Sequence, residues 1–179
     1  MGLLKLSDYG RKQAWQEELY DLLRSNQVDL FCYVPDGGHK TLINKSIEDP
    51  DVISVPLTTE EEGVAMCAGC HLGGTKSVLL MQSSGVGNTV NMLSLISNCN
   101  FPFVVLVTMR GNFGEFNSWQ VPMGRATPDV LTAMGIQVYV VERDDELPKA
   151  VDAALYSAFS SDQGVAVLLS QNLIGRKEW

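Results

Sequence analysis

Residues 58–74 read TTEEEGVAMCAGCHLGG, and residues 82–88 read QSSGVGN. The first segment predicts a helix that begins near its glutamates and carries Glu61 on the same face as Ala65, Ala68 and Leu72. A carboxylate on an apolar face costs free energy unless it is paired or protonated, so Glu61 is a candidate functional residue. The second segment is a glycine turn directly after the apolar run SVLLM, where parallel α/β sheets hold their ligands.

The composition is that of one globular domain. The chain has 179 residues, a hydrophobic share of 45% and a formal net charge of −8, and a chain of this length can bury a core of its own. The negative charge argues against nucleic acid or an anionic membrane as a partner. Because no apolar run is long enough for a membrane span or a signal peptide, we expect a cytoplasmic protein without a membrane partner.

Strand-like and helix-like segments alternate along the chain, which predicts an α/β fold: an open six-stranded parallel sheet with helices on both faces. The run FVVLVTM is almost unbroken and predicts a central strand that is buried on both sides. Strands are predicted at 29–34, 52–57, 77–82, 103–109, 137–141 and 165–170. Helices are predicted at 8–24, 39–47, from the glutamates onward, and at 86–97, 128–134 and 146–159. The longest predicted loop, 111–124, is long enough to expect function in it.

Three adjacent glutamates open the predicted third helix. Thr58 with Glu61, and Thr59 with Glu62, each fit a capping box, and acidic residues in a first turn also suit the helix dipole. The residues by themselves therefore leave two interpretations open, which are helix capping and a functional carboxylate.

The four cysteines include a C-x-x-C pair, Cys67 and Cys70. Such a pair could be a redox centre or half of a zinc site. Redox pairs of the thioredoxin type lie at a helix start, however, and zinc needs two more ligands at ordered spacing. We therefore expect small buried thiols in a reducing compartment, and we predict no metal site in this chain.

These segments resemble the pyrimidine-binding (PYR) domain of thiamin diphosphate enzymes. The chain is most similar to the alpha subunits of sulfopyruvate and phosphonopyruvate decarboxylases. The resemblance rests on EEEGVAMCAGCHLGG at 60–74, LLMQSSGVGNTVNML at 79–93, Arg110-Gly111, and MGRATPDVL at 123–131. It extends over nearly the whole chain and implies that residues 1–179 form a single PYR domain.

The resemblance also implies a cofactor site. In these enzymes one glutamate at this helix start hydrogen-bonds to the aminopyrimidine ring of thiamin diphosphate and promotes its activation. Matching Glu-Glu-Gly at 61–63 to the family pattern selects Glu61, with Glu60 and Glu62 as the neighbouring registers. The glycine turn approaches the cofactor in this family, since glycine permits close backbone contact. The implied cofactor-binding residues are Glu61, Gln82, Ser83, Ser84, Gly85, Gly87 and Asn88. A dinucleotide fingerprint would need a third glycine and a later acidic residue, so NAD binding is not expected.

A second subunit is implied as well. Enzymes of this group hold the diphosphate and Mg²⁺ through a Gly-Asp-Gly segment on a second (PP) domain, and this sequence contains no Gly-Asp-Gly. The resemblance therefore implies a separate beta subunit that carries the PP domain, binds Mg²⁺ and shares the thiamin diphosphate in an α2β2 or larger heteromer.

Polar residues after the strands are candidates for the substrate site. Asp36 and His39 follow the first strand, where related decarboxylases carry an Asp, so both are candidate catalytic residues, although Pro-Asp-Gly is also an ordinary turn. Arg110 ends the central strand and could grip a carboxylate, phosphonate or sulfonate, although a surface charge is the alternative. Gln120 and Arg125 are further substrate-binding candidates.

The long loop departs from the family pattern. Where related decarboxylases often carry Glu-Pro-Gln-His, this chain has Ser-Trp-Gln-Val at 118–121, and its loop also contains Phe113 and Phe116. This difference puts sulfopyruvate and phosphonopyruvate in doubt as substrates.

Taken with the resemblance, the sequence predicts the alpha subunit of a decarboxylase for a small anionic 2-oxo acid. A carboligase or C–C lyase subunit with the same cofactor is an alternative. A non-catalytic, flavodoxin-like binding module is a more remote one.

Overall fold

The computed structural model describes residues 6–175, with side chains from residue 15 onward. Its strands form one six-stranded sheet in the order β2-β1-β3-β4-β6-β5, and every neighbouring pair is parallel. The predicted open parallel sheet is therefore confirmed. The strands are β1 (Val28–Tyr33), β2 (Ile53–Pro56), β3 (Lys76–Gln82), β4 (Phe103–Thr108), β5 (Gln137–Val141) and β6 (Gly164–Leu169).

Helices cover both faces of this sheet. They are α1 (Leu6–Ser25), α2 (Lys40–Glu48), α3 (Glu60–Leu72), α4 (Ser83–Thr89), α5 (Leu93–Cys99), α6 (Val121–Ala133), α7 (Leu147–Ser161) and α8 (Gln171–Ile174). The core on one face lies under α1, α2, α7 and α8, and the core on the other lies under α3, α4, α5 and α6. Successive residues of β3, β4 and β6 alternate between the two cores, as the period of a strand requires.

The central position predicted for the FVVLVTM run is correct. All six residues of β4 are buried, and β4 lies between β3 and β6. The sheet edges are β2 and β5, where exposed and half-buried residues dominate.

Two predicted elements differ from the structure. The single helix expected at 86–97 is two shorter helices, α4 and α5. The loop expected at 111–124 ends early, because α6 begins at Val121. Pro122 suits a first helical turn, where a missing N–H costs nothing. The helix predicted at 128–134 is the second half of α6, and Thr127, just before that range, already lies inside α6 and donates a hydrogen bond to the Met123 carbonyl at 2.8 Å.

The strand order creates a crevice at the carboxyl end of the sheet. In the sheet, β1 and β3 are neighbours. The segment after β1 leads outward to β2, whereas the segment after β3 leads in the opposite direction to β4, so these two segments diverge. A reversal of this kind is where open α/β sheets bind ligands. Among residues 6–175, no helix combines the length and apolarity needed to cross a bilayer.

The two cysteines of the C-x-x-C motif, Cys67 and Cys70, lie one turn apart in α3 and differ in burial. Cys67 is buried in α3, and its Sγ lies 3.7 Å from the Sγ of Cys32 on β1. Cys70 is half-buried and Cys99 is exposed, and all four thiols are free. Cys67 therefore fits the expectation of a small buried thiol, whereas Cys70 does so only in part.

Candidate functional site

A cavity of about 230 Å³ lies at the carboxyl ends of β1, β3, β4 and β6. Asp36 follows β1, Gln82 ends β3, and Arg110 follows β4 by two residues. Gln171, at the start of α8, completes the polar lining from the β6 side. The structure thus brings together three of the predicted site residues, Asp36, Gln82 and Arg110, at the crevice expected from the sheet order.

Asp36 is fixed by three donors. Its Oδ1 accepts a hydrogen bond from Gln82 Nε2 at 2.9 Å, and its Oδ2 accepts from Thr108 Oγ1 at 2.7 Å and from Gly38 N at 3.0 Å. Burial alone would raise the pKa of Asp36, but His39 and these hydrogen bonds hold it below its ordinary value. Asp36 is therefore a preorganised carboxylate in the cavity wall.

His39 lies beneath the cavity and does not line it. The residue is completely buried, and its Nε2 is 3.0 Å from the Leu106 carbonyl and 3.2 Å from the Met81 carbonyl. Because both partners are acceptors, Nε2 carries the proton, and Nδ1 is left without a hydrogen-bond partner among the described residues. Burial lowers the pKa of His39. The expectation of a catalytic His39 is corrected, since a substrate cannot reach this ring.

Glu60 is the glutamate that faces the glycine turn. It is 8% exposed, and its Oε2 accepts a hydrogen bond from Asn88 Nδ2 at 2.8 Å. Its side chain packs directly against Gly85, so that a Cβ added there would overlap the carboxylate and lie 2.6 Å from Glu60 Cγ. The close approach expected of a glycine in this turn is thus an approach to Glu60.

The other two glutamates point elsewhere. Glu61 is partly exposed. Of the residues predicted to share its face, Ala68 is buried, whereas Ala65 and Leu72 are exposed. The face predicted for Glu61 is therefore buried only in part. Glu62 accepts a hydrogen bond from Thr58 N at 2.9 Å, whereas the N-cap, Thr59, makes no side-chain cap bond. Neither predicted capping box therefore forms, since Glu62 bonds the backbone one residue before the N-cap.

Arg110 is already paired within the chain. Glu115 accepts hydrogen bonds from its Nε and Nη2, both at 2.6 Å, and the two side chains are 8% and 3% exposed. The Arg110 guanidinium also lies over the Phe116 ring, 5.7 Å from its centroid. The expectation that Arg110 offers its planar fork to a substrate is corrected, because a carboxylate of the same chain occupies it.

Glu115 is held from several sides at once. Besides Arg110, it accepts hydrogen bonds from Gln171 Nε2 at 2.8 Å and from Asn117 N at 2.9 Å. Arg110, followed by the other donors, lowers its pKa to about 2 against the opposing effect of burial. Gln171 Oε1 in turn accepts from Asn112 N at 3.1 Å. These contacts tie the loop after β4 to the start of α8.

The remaining predicted residues divide between the glycine turn and its surroundings. Ser83 is buried and accepts a hydrogen bond from Arg110 N at 3.0 Å, and Ser84 donates to Gln82 Oε1 at 2.8 Å. Gly87 is exposed and near Met123. Arg125 is exposed on α6, and neither it nor the half-buried Gln120 lines the cavity.

Sequence reasoning missed Glu115, Gln171 and Thr108. Glu115 lies in an irregular loop and Gln171 lies 56 positions further along the chain, so no periodic pattern relates them. Thr108 could have been found, because it ends the most apolar strand and faces the carboxyl edge beside Arg110.

Curated relatives match most of the chain. Sulfopyruvate decarboxylase subunit alpha of Methanococcus maripaludis is 35% identical over 154 residues, which cover 86% of this chain and 92% of that protein. The protein of the same name from Methanothermobacter thermautotrophicus is 36% identical over 154 residues, covering 86% of this chain and 93% of its own. Phosphonopyruvate decarboxylase of Streptomyces viridochromogenes is 35% identical over 144 residues, which cover 79% of this chain and 36% of that protein.

Solved structures share the fold. A 2-oxoglutarate:ferredoxin oxidoreductase from Magnetococcus marinus superposes with a TM-score of 0.72 at 16% identity, over 89% of this chain and 29% of that one. A putative thiamin diphosphate-dependent enzyme from Mycobacterium smegmatis superposes with a TM-score of 0.69 at 18% identity, over 87% of this chain and 30% of that one. No protein-family model matches the sequence.

Proposed function

Because the chain belongs to the sulfopyruvate decarboxylase alpha-subunit family, we propose that it supplies the pyrimidine-binding half of a thiamin diphosphate-dependent enzyme that removes CO₂ from a small 2-oxo acid. The cofactor, when bound, supplies an electron sink for the carbon that loses CO₂. The chain's own residues hold and orient that cofactor and line one side of the substrate cavity.

One observation carries this proposal: a buried glutamate at a helix start packs against a glycine turn. Glu60 lies against Gly85 and accepts a hydrogen bond from Asn88. A carboxylate in that position can share a proton with a ring nitrogen of a bound heterocycle. Because Gly85 has no side chain, no side chain at that position covers the Glu60 carboxylate. The residue types therefore fit an aminopyrimidine ring.

We assign the cofactor contact to Glu60 and not to Glu61. Glu60 is in the neighbouring register of the family pattern, so the assignment moves the expected residue by one position. Glu60 is 8% exposed and its carboxylate accepts a hydrogen bond from Asn88, whereas Glu61 is partly exposed. A proton-sharing carboxylate needs a partner that orients it, and Asn88 gives Glu60 such a partner.

On the substrate side, Asp36 is the proposed charged contact. Three donors hold its carboxylate in place, so it can act on a substrate without first reorganising. His39 has a supporting role in this proposal, because its ring is hydrogen-bonded to the carbonyls of Met81 and Leu106 below Asp36.

The beta subunit is proposed to complete the site. Mg²⁺ and the diphosphate need a Gly-Asp-Gly segment, which the sequence lacks. Large apolar side chains are exposed in the loop after β4, which follows the cavity residue Arg110: Phe113 is 54% exposed and Trp119 is 86% exposed. Exposed apolar groups grouped near a site are typical of a surface that a partner covers.

The test begins with a tagged chain expressed in its native host. The copurifying chain is identified, and CO₂ release by the complex is measured with a panel of 2-oxo acids, with and without thiamin diphosphate and Mg²⁺. We expect a partner that contains Gly-Asp-Gly, and CO₂ release that needs both additions. Cofactor-dependent C–C bond formation without CO₂ release would indicate a carboligase. A lone chain without cofactor-dependent activity would contradict the proposal.

A further inference from the structure

The charged residues that this chain contributes to the cavity affect which 2-oxo acids can bind there. Arg110 is the only Lys or Arg among the residues that line it, within residues 6–175. Glu115 occupies the fork of Arg110 with two 2.6 Å hydrogen bonds. The positive charge of Arg110 is therefore already neutralised inside the protein, and it offers little attraction to an incoming anion.

Asp36 adds a second negative charge to the single positive charge of Arg110. Its carboxylate faces the cavity, and its hydrogen-bond donors, Thr108, Gln82 and the Gly38 N–H, are all neutral groups. Arg110 with Glu115 sums to zero, so the wall contributed by this chain carries a net negative charge. A substrate whose only charged group is its carboxylate places one negative charge near that wall. A substrate with a second anionic group places two there, and is therefore repelled more strongly.

The ion pair of Arg110 and Glu115 is stabilised by further hydrogen bonds. Glu115 is 3% exposed and is also held by Gln171, Gly111 N and Asn117 N. Opening the pair would break several buried hydrogen bonds and leave a buried charge without a partner. Arg110 is thus a structural cation that fixes the loop after β4, and it is not a free binding group.

The rest of the cavity lining is uncharged. It consists of the neutral polar side chains of Gln82, Thr108 and Gln171, of glycine backbone, and of one aliphatic side chain, Ile174. Neutral groups beside a neutralised cation favour an uncharged group on the ligand.

We propose, resting on the proposed decarboxylase function, that the substrate is a 2-oxo acid whose side chain is uncharged, unlike the sulfonate or phosphonate groups implied by the names of the relatives. The proposal concerns the group beyond the 2-oxo carbon. The carboxylate that leaves as CO₂ is common to all candidates.

The test compares two substrates of matched shape on the complex of the chain with its copurified partner. One is sulfopyruvate, and the other is its isostere in which a tert-butyl group replaces the sulfonate. We expect kcat/KM for CO₂ release to be about tenfold or more higher for the isostere, since like-charge contacts are strongly disfavoured. Equal values, or a preference for sulfopyruvate, would overturn the proposal while leaving the decarboxylase function intact. CO₂ release from neither these nor other 2-oxo acids would overturn the decarboxylase function itself.

A variant tests the origin of the preference. Glu115→Gln keeps the shape of the side chain but leaves the Arg110 charge uncompensated, so the ratio should shift about tenfold toward sulfopyruvate. The control, Asp152→Asn, removes one exposed negative charge on α7 and should leave the ratio unchanged. An unchanged ratio in a folded Glu115→Gln complex would contradict the role of the ion pair. If this variant does not fold, the wild-type comparison of the two substrates decides.

Discussion

The three glutamates at the start of α3 show how much one position matters on a helix. Consecutive residues point about 100° apart around the axis, so Glu60, Glu61 and Glu62 face a site, an open surface and a capping position, respectively. Only Glu60 meets both Gly85 and Asn88. The chemistry assigned to this helix should therefore depend on a single residue.

Replacing each glutamate by glutamine tests that assignment. In the reconstituted complex, Glu60→Gln should lower kcat by about 10²–10⁴-fold, because an amide cannot exchange a proton with a ring nitrogen as a carboxyl group can. Glu61→Gln and Glu62→Gln serve as matched controls and should keep kcat within a few-fold of the wild type. Loss of activity in Glu61→Gln with an active Glu60→Gln would restore the register first expected from the sequence.

The buried pair of Arg110 and Glu115 predicts an acid-sensitive contribution to stability. The pKa of Glu115 falls from 4.5 to about 2 in the folded chain. A lowered carboxyl pKa stabilises the fold above the unfolded-state pKa, and this stabilisation is lost as the pH falls from about 4.5 to about 2. The shift corresponds to about 3 kcal/mol.

Urea unfolding of the chain and of Glu115→Gln, measured from neutral to acidic pH, checks this contribution. The wild-type free energy of unfolding should exceed that of the variant by about 3 kcal/mol at neutral pH, and this difference should shrink toward pH 3. The same comparison with Asp152→Asn, an exposed residue, should show a small and nearly constant difference. A constant gap for Glu115→Gln would contradict the assigned pKa.

At the scale of elements, the site depends on the contact between α3 and α4. The glycine turn after β3 does not remain an open loop, because Ser83–Thr89 form α4 and Gly85 faces α3 from inside that helix. Since alanine is normally a better helix residue than glycine, Gly85 is retained at a cost to helix stability. Its absent side chain is what lets the Glu60 carboxylate lie there.

A matched pair of substitutions tests this contact. Gly85→Ala should displace the Glu60 carboxylate and lower kcat by about 10²-fold, as misplacing a catalytic group does. Gly87→Ala, in the same helix, adds a methyl group whose nearest neighbour is Met123 Sδ at 3.4 Å, and it should have little effect. Circular dichroism of both variants checks that the fold is kept. Similar activities of the two variants would contradict the proposed role of Gly85.

The elements themselves were largely predictable, and the site was less so. The apolar run of β4 and the alternation of segments indicate the parallel sheet, because burial on both faces leaves a plain signal in the sequence. The glycine turn and Asp36 could be found from their positions after β3 and β1. These signals are local, and each depends on residues within one element.

The sequence could not reveal the direction in which a side chain points, or hydrogen-bond partners that no sequence pattern relates. Three adjacent glutamates do not show which one faces inward until the helix start is fixed to within one residue. The sequence does not show that the Arg110 guanidinium is paired, because its partner, Glu115, lies in an irregular loop with no periodicity. The sequence does not show that His39 is inaccessible, because a short turn after a strand does not reveal that its ring is buried against the Met81 and Leu106 carbonyls.

For the whole molecule, the central claim is that this chain holds half of a cofactor site. Glu60, Gly85 and Asn88 form the proposed surface for the pyrimidine ring, and the sequence contains no Gly-Asp-Gly for Mg²⁺ and diphosphate. Most of the attraction for a diphosphate dianion comes from its metal and its backbone donors. A chain without that segment should have weak affinity for the cofactor by itself.

Calorimetric titration of thiamin diphosphate with Mg²⁺ tests this claim most directly. It is carried out on the purified chain and on its complex with the copurified partner. We expect no measurable binding by the chain by itself and micromolar or tighter, Mg²⁺-dependent binding by the complex. Micromolar Mg²⁺-dependent binding by the chain without its partner would contradict the account.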